Sequence, residues 1–315
     1  MRAFAVEEFG APGTVRDLPV PEPGPGEVRI RVAAAGMNPV DNAVVQGYLK
    51  DMMEHRLPLV PGIDASGTID AVAEDVQGWK VGDEVFAASG KSYFGEGTYA
   101  EQTTVSAGSL AHKPSSVTHE QAAAIPTAGV TALMLADALE LKERQVILAI
   151  GAVGGVGSYF VQLAAERGAR VVAVSRSVNA DYVRSLGAED VIDYTAEDVG
   201  EAIAARYNQR IDGIADMVGD KEELDGAVAR VKTRGRVASC VRSADEAGLA
   251  QRGLTGRNVN GAVTTERLDL LASARTEGRL KDPHIETLPL DSASEALARL
   301  AERHVRGKLV LKTNS

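Results

Sequence analysis

The sequence predicts an α/β protein with two domains, one β-rich and one built on a doubly wound parallel sheet. Short alternating or apolar runs separated by Gly, Pro and Asp fill roughly the first 115 residues. From about residue 118, strand-like and helix-like segments alternate, which is typical of βαβ units. Four glycines lie within residues 151–157, between an apolar run and an amphipathic one. A chain of 315 residues is long enough for two such domains.

The β-rich part is predicted from runs such as "EVRIRVAAAG" (27–36), "SGTIDAVA" (66–73) and "DEVFAASG" (83–90). The stretch "PVPEPGPGE" (19–27) is expected to be an extended connection, because proline lacks the amide donor that a helix or a central strand needs. The sequence "THEQ" (118–121) fits a capping box, with Thr118 as N-cap, and indicates the start of a helix.

The second part opens with "QVILAIG" (145–151), an uncharged run after its first residue, as expected for a strand buried on both faces. Downstream, Val156, Phe160, Leu163 and Ala164 fall on one helical face. A second strand, "RVVAVSR" (170–176), follows, and the alternation continues to about residue 257. Two more helical patterns and a strand, "KLVLK" (308–312), complete the chain.

The glycines therefore lie at a strand-to-helix turn, where a pyrophosphate can meet the free amides and the positive end of a helix. The stretch aligns with the dinucleotide fingerprint as Ala152-x-Gly154-x-x-Gly157, with alanine in place of the first glycine. A tight turn without a ligand is the alternative. The strand, the helix and the second strand in their proper places favour phosphate binding.

The end of the second predicted strand indicates which dinucleotide binds. An NAD site would carry Asp or Glu there, to accept hydrogen bonds from the ribose hydroxyls. This sequence has Ser175 and Arg176, followed by Ser177. A guanidinium with neighbouring hydroxyls binds a 2′-phosphate, which a carboxylate would repel. NADPH is therefore the predicted cofactor, and a solvated surface arginine is the alternative.

Composition restricts the partners and the compartment. The net charge of −10 with no basic stripe argues against nucleic-acid binding. The single cysteine, Cys240, allows no intrachain disulfide. The acidic start lacks the apolar core of a secretory signal, and the uncharged stretch 121–135, interrupted by Pro126 and Gly129, is too short to span a bilayer. We expect a cytoplasmic protein that acts on a small molecule without a membrane partner.

With these residues placed, the chain resembles the zinc-independent medium-chain dehydrogenases/reductases of the ζ-crystallin-like quinone oxidoreductase group. Matching stretches include "AAGMNPVD" (34–41), "PGIDASGTI" (61–69), "AAIPTAGVTAL" (123–133), "GAVGGVG" (151–157) and "RGKLVL" (306–311). The resemblance implies a GroES-like β-rich domain, formed by residues 1–118 and 258–315. A Rossmann domain for NADPH would be formed by residues 119–257.

Zinc-dependent members of this family have a cysteine where this chain has Asn38, and Gly-His-Glu where it has Gly62-Ile63-Asp64. Catalytic zinc needs three protein ligands. With one cysteine, and five histidines scattered without ligand spacing, neither the catalytic nor the structural zinc site of the family is expected. Without a metal, hydride delivery to an electron-poor carbon stays feasible, either in a quinone or at the β-carbon of an α,β-unsaturated carbonyl.

The resemblance also implies the residues of the site. Asn38 would lie beside the nicotinamide ribose, Thr127 against the ring or its carboxamide, and Cys240 and Val241 would line the nicotinamide half through their backbone. The implied cofactor-binding positions are Asn38, Thr127, Val153, Gly154, Gly155, Val156, Ser175, Arg176, Tyr194, Cys240, Val241, Asn258 and Lys308. The implied catalytic positions are Asn38 and Tyr48.

Several of these positions have plain structural alternatives. Asn38 could cap a turn before Pro39. Quinone reductases of the group often have a tyrosine where this chain has Ala43, so Tyr48 is only the nearest substitute as proton donor, and water or a ribose hydroxyl would also serve. Asp64 is expected to brace a loop, and Tyr99 to pack at a strand.

The predicted function is an NADPH-dependent quinone or enone reductase, active as a homodimer. The dimer is expected by analogy, through a sheet edge near "VASCV" (237–241). One alternative is a non-enzymatic NADPH-binding sensor or structural protein, and another is an enoyl-thioester reductase that works with a synthase.

Overall fold

The computed structural model describes residues 1–208, 210–219 and 221–313. In the described chain the strands are β1 (Arg2–Ala5), β2 (Thr14–Asp17), β3 (Glu27–Gly36), β4 (Glu54–Val60), β5 (Asp64–Val72), β6 (Glu84–Ala88), β7 (Tyr93–Glu96), β8 (Gln102–Ser106), β9 (Leu110–His112), β10 (Val146–Ile150), β11 (Arg170–Val174), β12 (Ala188–Ile192), β13 (Ile211–Asp216), β14 (Val231–Ser239), β15 (Thr255–Asn258), β16 (Ile285–Pro289) and β17 (Lys308–Lys312). The α-helices are α1 (Pro39–Val45), α2 (His119–Ala123), α3 (Pro126–Ala138), α4 (Gly155–Glu166), α5 (Ala180–Ser185), α6 (Val199–Arg206), α7 (Lys221–Val228), α8 (Glu246–Gln251), α9 (Thr265–Thr276) and α10 (Ala293–Ala301).

The chain divides into two compact units, and the division differs in detail from the predicted domain limits at 118 and 258. The first unit takes residues 1–130, 263–278 and the segment from 284 onward, and the second takes 131–262 and 279–283. Helix α2 stays with the first unit because it packs on β3 and β5. Helix α2 approaches β3 closely, since a Cβ on Gly36 would stand 2.0 Å from the carbonyl oxygen of Ala123.

The first unit is built on an open sheet with the strand order β16-β17-β3-β5-β6-β9, and β8 also pairs with β3. Strands β1 and β2, and strands β4 and β7, form two small sheets. Along β3, Val28, Ile30 and Val32 are fully buried while the residues between them are more exposed, as the period of two for a strand requires. The last strand of the chain, β17, pairs antiparallel with β3. The segment Lys308–Lys312 therefore lies beside an early strand of the same unit.

The second unit is a six-stranded, all-parallel sheet with the order β12-β11-β10-β13-β14-β15. This doubly wound arrangement confirms the predicted Rossmann-type domain. Strand β10 is buried along nearly its whole length, and α4 buries Phe160, Leu163 and Ala164, whereas Val156 at its start is partly exposed. The predicted sheet edge at 237–241 is wrong, because β15 pairs with β14 and covers it. Within the described residues, no helix has both the length and the apolar character needed to cross a membrane.

Candidate functional site

The glycine-rich turn of the second unit joins β10 to α4. Gly154 is the N-cap of α4 in an extended conformation, and no capping side chain bonds to this end within the described residues. The first amides of a helix have no intrahelical acceptor, so the partly exposed segment from Val153 to Val156 presents donors. A Cβ on Gly157 would stand 2.2 Å from the carbonyl oxygen of Gly151, which explains why only glycine lets helix and strand approach here. This turn has the geometry to bind an anionic phosphate.

The carboxyl end of β11 carries the residues predicted for the 2′-phosphate. The exposed Arg176 guanidinium donates from Nε to the hydroxyl of Tyr194, 3.1 Å away, so its two terminal nitrogens are still available. Ser175 is only 3 % exposed and donates its hydroxyl to the carbonyl of Arg176 at 3.2 Å. The structure therefore brings Arg176 and Tyr194 together at the surface and leaves Ser175 beneath them.

Cys240 and Val241, the residues predicted for the nicotinamide half, follow β14 in the same sheet, beside the end of β13. Asp216, at the end of β13, accepts hydrogen bonds from the amides of Val218 and Gly219 at 3.0 Å and from the Ser239 hydroxyl at 3.2 Å. Burial, and secondarily the Asp216 charge, raise the pKa of the Cys240 thiol to about 12, so it stays protonated. Cys240 is therefore a small side chain that is inert as a nucleophile.

Val241 and Asn258 differ in what they offer a ligand. Val241 is 43 % exposed, and its amide donates to the Ser239 hydroxyl at 3.1 Å. The carboxamide of Asn258 bonds to both the carbonyl and the amide of Ala244, at 2.9 and 3.2 Å. Asn258 thus holds its own loop, and its contact with a cofactor stays a prediction.

In the first unit, Asn38 belongs to a fully buried polar cluster. Lys308 donates from Nζ to Asn38 Oδ1 and to the Met37 carbonyl, each at 2.7 Å. Asn38 Nδ2 donates to Asp64 Oδ2 at 2.9 Å. Since an ammonium can only donate and a carboxylate can only accept, these two partners fix the orientation of the Asn38 carboxamide.

Asp64 is the centre of this cluster. Thr127 donates to it through its hydroxyl at 2.6 Å and through its amide at 3.1 Å, and Lys308 Nζ lies 3.8 Å away. Burial raises the pKa of Asp64, an effect that Lys308 opposes, and burial lowers the pKa of Lys308, an effect that Asp64 opposes. Asp64 therefore braces the site, as expected, but it does so by orienting Asn38 and Thr127.

A second carboxyl, Asp41, was missed by the sequence analysis. It lies in the first turn of α1, is fully buried, and accepts at 2.7 Å from both the Asn38 amide and the Tyr99 hydroxyl. Tyr99 packs at full burial, as predicted, yet its hydroxyl also serves this carboxyl. The capping-box spacing of Asn38 and Asp41 was the one signal available in the sequence.

Tyr48, the predicted proton donor, is 74 % exposed, and its hydroxyl makes no hydrogen bond within the described residues. It is not part of the buried cluster, so its role stays a prediction. Among the described residues, no group of three or more His, Cys, Asp or Glu side chains is arranged to hold a metal ion.

Comparisons with known proteins agree with both units. Residues 24–115 match the profile described as "Alcohol dehydrogenase GroES-like domain", and residues 155–271 match "Zinc-binding dehydrogenase". The "NADPH-dependent alkenal/one oxidoreductase, chloroplastic" of Arabidopsis thaliana is 32 % identical over 99 % of this chain and 79 % of that protein. A chloroplastic quinone oxidoreductase of Triphysaria versicolor is 30 % identical over 99 % of this chain and 98 % of that one.

The solved structures give the same result. The quinone oxidoreductase from Coxiella burnetii is similar with a TM-score of 0.89 and 29 % identity, over 100 % of this chain and 99 % of that chain. This confirms a GroES-like unit together with a Rossmann unit. The chain therefore belongs to the medium-chain dehydrogenase/reductase family, in its quinone oxidoreductase group.

Proposed function

We propose that this protein is an NADPH-dependent reductase that delivers hydride, without zinc, to a quinone or to the β-carbon of an α,β-unsaturated carbonyl. The observation that carries the proposal is the exposed pair formed by Arg176, which follows β11, and Tyr194, which follows β12. An NAD site would have a carboxylate at the end of β11. The names of three relatives, a quinone oxidoreductase, an alkenal/one oxidoreductase and a 2-methylene-furan-3-one reductase, support the acceptor class.

The residues of the second unit fit the dinucleotide. The amides from Val153 to Val156 would bind the pyrophosphate, and the terminal nitrogens of Arg176 would bind the 2′-phosphate. Tyr194 restrains the guanidinium, which lowers the entropy lost when it pairs with an anion. When bound, the reduced nicotinamide supplies the hydride.

The residues of the first unit would orient the reacting groups. Because Lys308 and Asp64 fix the Asn38 carboxamide, its second Nδ2 hydrogen stays available as a donor of fixed direction. Such a preorganised donor can bind a ribose hydroxyl or a substrate oxygen without reorganising. The position that carries a zinc-ligand cysteine in zinc-dependent relatives is thus occupied by an amide already held by two charged partners.

The test is the oxidation of NADPH and NADH by a panel of acceptors: quinones, 2-alkenals, cyclic enones and enoyl thioesters. We expect turnover with NADPH and at least one quinone or enone, and a lower kcat/KM with NADH. Tight NADPH binding without turnover of any acceptor would instead favour a binding protein. Turnover confined to enoyl thioesters would move the substrate class to acyl carriers.

A further inference from the structure

Asp41 has one carboxylate oxygen that the buried cluster leaves unused. Oδ2 accepts from the Asn38 amide and the Tyr99 hydroxyl, whereas Oδ1 is buried and makes no hydrogen bond within the described residues. Leaving a buried polar atom without a partner costs about 1–3 kcal/mol, more for a charged group. An oxygen in this state indicates either a proton on the carboxyl or a partner of another kind.

A small cavity of the first unit lies beside this carboxyl. Asp41 lines it together with Gly62, Ile63, Ser89 and Lys91. Its volume is about 10 Å³, close to what one water molecule needs. The Lys91 ammonium is engaged by Tyr93, Glu96 and Thr104, whereas the half-buried Ser89 hydroxyl makes no hydrogen bond within the described chain.

A second buried polar atom without a partner lies close to Gly62, which lines the cavity. Thr98 Oγ1 is buried without a hydrogen-bond partner among the described residues. A Cβ on Gly62 would stand 2.5 Å from this oxygen and 2.4 Å from the Tyr99 ring, and Gly62 has φ +100°. Only glycine therefore fits at this position without clash or backbone strain. Asp41 and Ser89, which both line the cavity, supply two polar partners, and a buried water requires two to four.

We propose that Asp41, acting through a water held in this cavity, is the proton source for the reduction of enones. The inference rests on the proposed function. Hydride adds to the β-carbon, the C=C π electrons form an enolate, and a proton then forms the new C–H bond at the α-carbon. That proton leaves the water as the water takes one from Asp41, and the resulting carboxylate recovers its proton from solvent, with Ser89 on the path.

The charges around Asp41 support a carboxyl that carries a proton near neutrality. Burial and, to a smaller extent, the charge of the neighbouring Asp64 raise its pKa, which lies at about 7. The Tyr99 hydroxyl, the Asn38 amide and the Lys308 ammonium act in the opposite direction. Lys91 and Glu96, which also line the cavity, are paired with each other at 2.7 Å. An acid with a pKa near the working pH is the most effective proton donor.

The obvious alternative is a purely structural Asp41 that caps α1. The two roles differ in which acceptors they affect. Reduction of a quinone leaves a charged oxygen that takes its proton rapidly from solvent, whereas the α-carbon of an enolate is protonated slowly and gains from a positioned acid. A structural defect would lower both activities together.

The test compares Asp41→Asn with wild type on one enone and one quinone. Asparagine keeps an oxygen for the Tyr99 and Asn38 donors and removes the proton. We expect enone turnover to fall about 100-fold or more while quinone turnover changes far less. The exposed Asp269→Asn in α9 makes the same charge change and serves as control, with both activities unchanged.

The stereochemistry of the product gives a second measurement. If Asp41 had only a structural role, its replacement would leave this stereochemistry unchanged. In deuterium oxide, wild type should place deuterium on one face of the α-carbon, and Asp41→Asn should give a mixture. In wild type, enone turnover should also fall as the pH rises through about 7, because only the acid form of Asp41 donates.

Equal losses for enone and quinone, or unchanged stereochemistry in the variant, would overturn the proposal. If Asp41→Asn does not fold, the wild-type pH profile decides, and an enone turnover that is flat across neutral pH would refute it. Absence of turnover with every acceptor in wild type would refute the proposed function instead, so the two failures are distinguishable.

Discussion

Replacing Arg176 by alanine tests the cofactor assignment directly. The guanidinium is exposed and, among the described residues, bonds only through Nε, to Tyr194, so two terminal nitrogens are available for a phosphate. A hydrogen bond to a charged group contributes about 1.5–3 kcal/mol, and exposure to solvent places these bonds at the lower end of that range. The loss of one or two of them predicts a fall of roughly 10- to 100-fold in NADPH affinity, at about 1.4 kcal/mol per decade.

The assay is the dissociation constant of each cofactor, measured for wild type and variant at low and high salt. NADH lacks the 2′-phosphate, so its affinity should hardly change. The wild-type preference for NADPH should weaken with added salt, because exposed charges are screened. Arg184→Ala, which removes another exposed guanidinium, from α5, is the matched control and should leave both affinities unchanged.

Equal losses for NADH and NADPH in Arg176→Ala would show that Arg176 acts structurally, and the NADPH assignment would then be wrong. Tyr194→Phe refines the test. It leaves the charge and removes the hydroxyl that restrains the guanidinium, so NADPH affinity should fall only a few-fold, by about 0.5–1.5 kcal/mol.

Three further predictions follow from the two units. Lys308→Met leaves the Asp64 carboxylate buried without its cation, so urea unfolding near pH 8 should show a loss of about 3–5 kcal/mol. The loss should shrink near pH 5, since protonation of Asp64 removes the unpaired charge; a pH-independent loss would contradict the buried pair. Gly157→Ala forces a Cβ against the Gly151 carbonyl, so it should lower the free energy of unfolding by about 1–3 kcal/mol and weaken NADH and NADPH alike, in contrast to Arg176→Ala. Activity should survive dialysis against a chelator; one bound metal per chain, with activity lost on its removal, would contradict the zinc-independent assignment.

The sequence predicted the second unit well because its signals are local. An uncharged run, a glycine turn and an apolar helical face all lie within residues 145–164, and the structure has β10 and α4 there. The capping box at Thr118 is confirmed, with its hydroxyl accepting from the Gln121 amide. Strand β15 was missed because "TGRN" is short, mostly exposed and without apolar alternation. Since β15 pairs with β14, missing it led to the wrong prediction of the sheet edge.

The buried cluster could be predicted only in part. Asn38, Thr127 and Lys308 were named from a family resemblance, and the structure brings them to one carboxylate, Asp64. The unused oxygen of Asp41 could not be predicted, because it depends on a tyrosine 58 positions away and on which cavity wall a glycine leaves open. Whether a buried polar side chain has a hydrogen-bond partner depends on tertiary packing, and no local sequence pattern encodes it.

The hydrogen bond between Lys308 and Asn38 joins positions 270 residues apart in the chain, and this separation determines an order of events during synthesis. The strands of the parallel sheet all lie within residues 146–258, so that sheet can form before β17 has been made. Contacts across such a long loop are slow to form, because chain entropy is lost before any bond is gained. Until then Asp64 lacks its ammonium, and burial of its charge is unfavourable. A nascent or truncated chain that ends before residue 308 should thus bind the dinucleotide phosphates although the buried cluster around Asp64 is incomplete. Cofactor binding alone therefore does not show that the enzyme has folded completely.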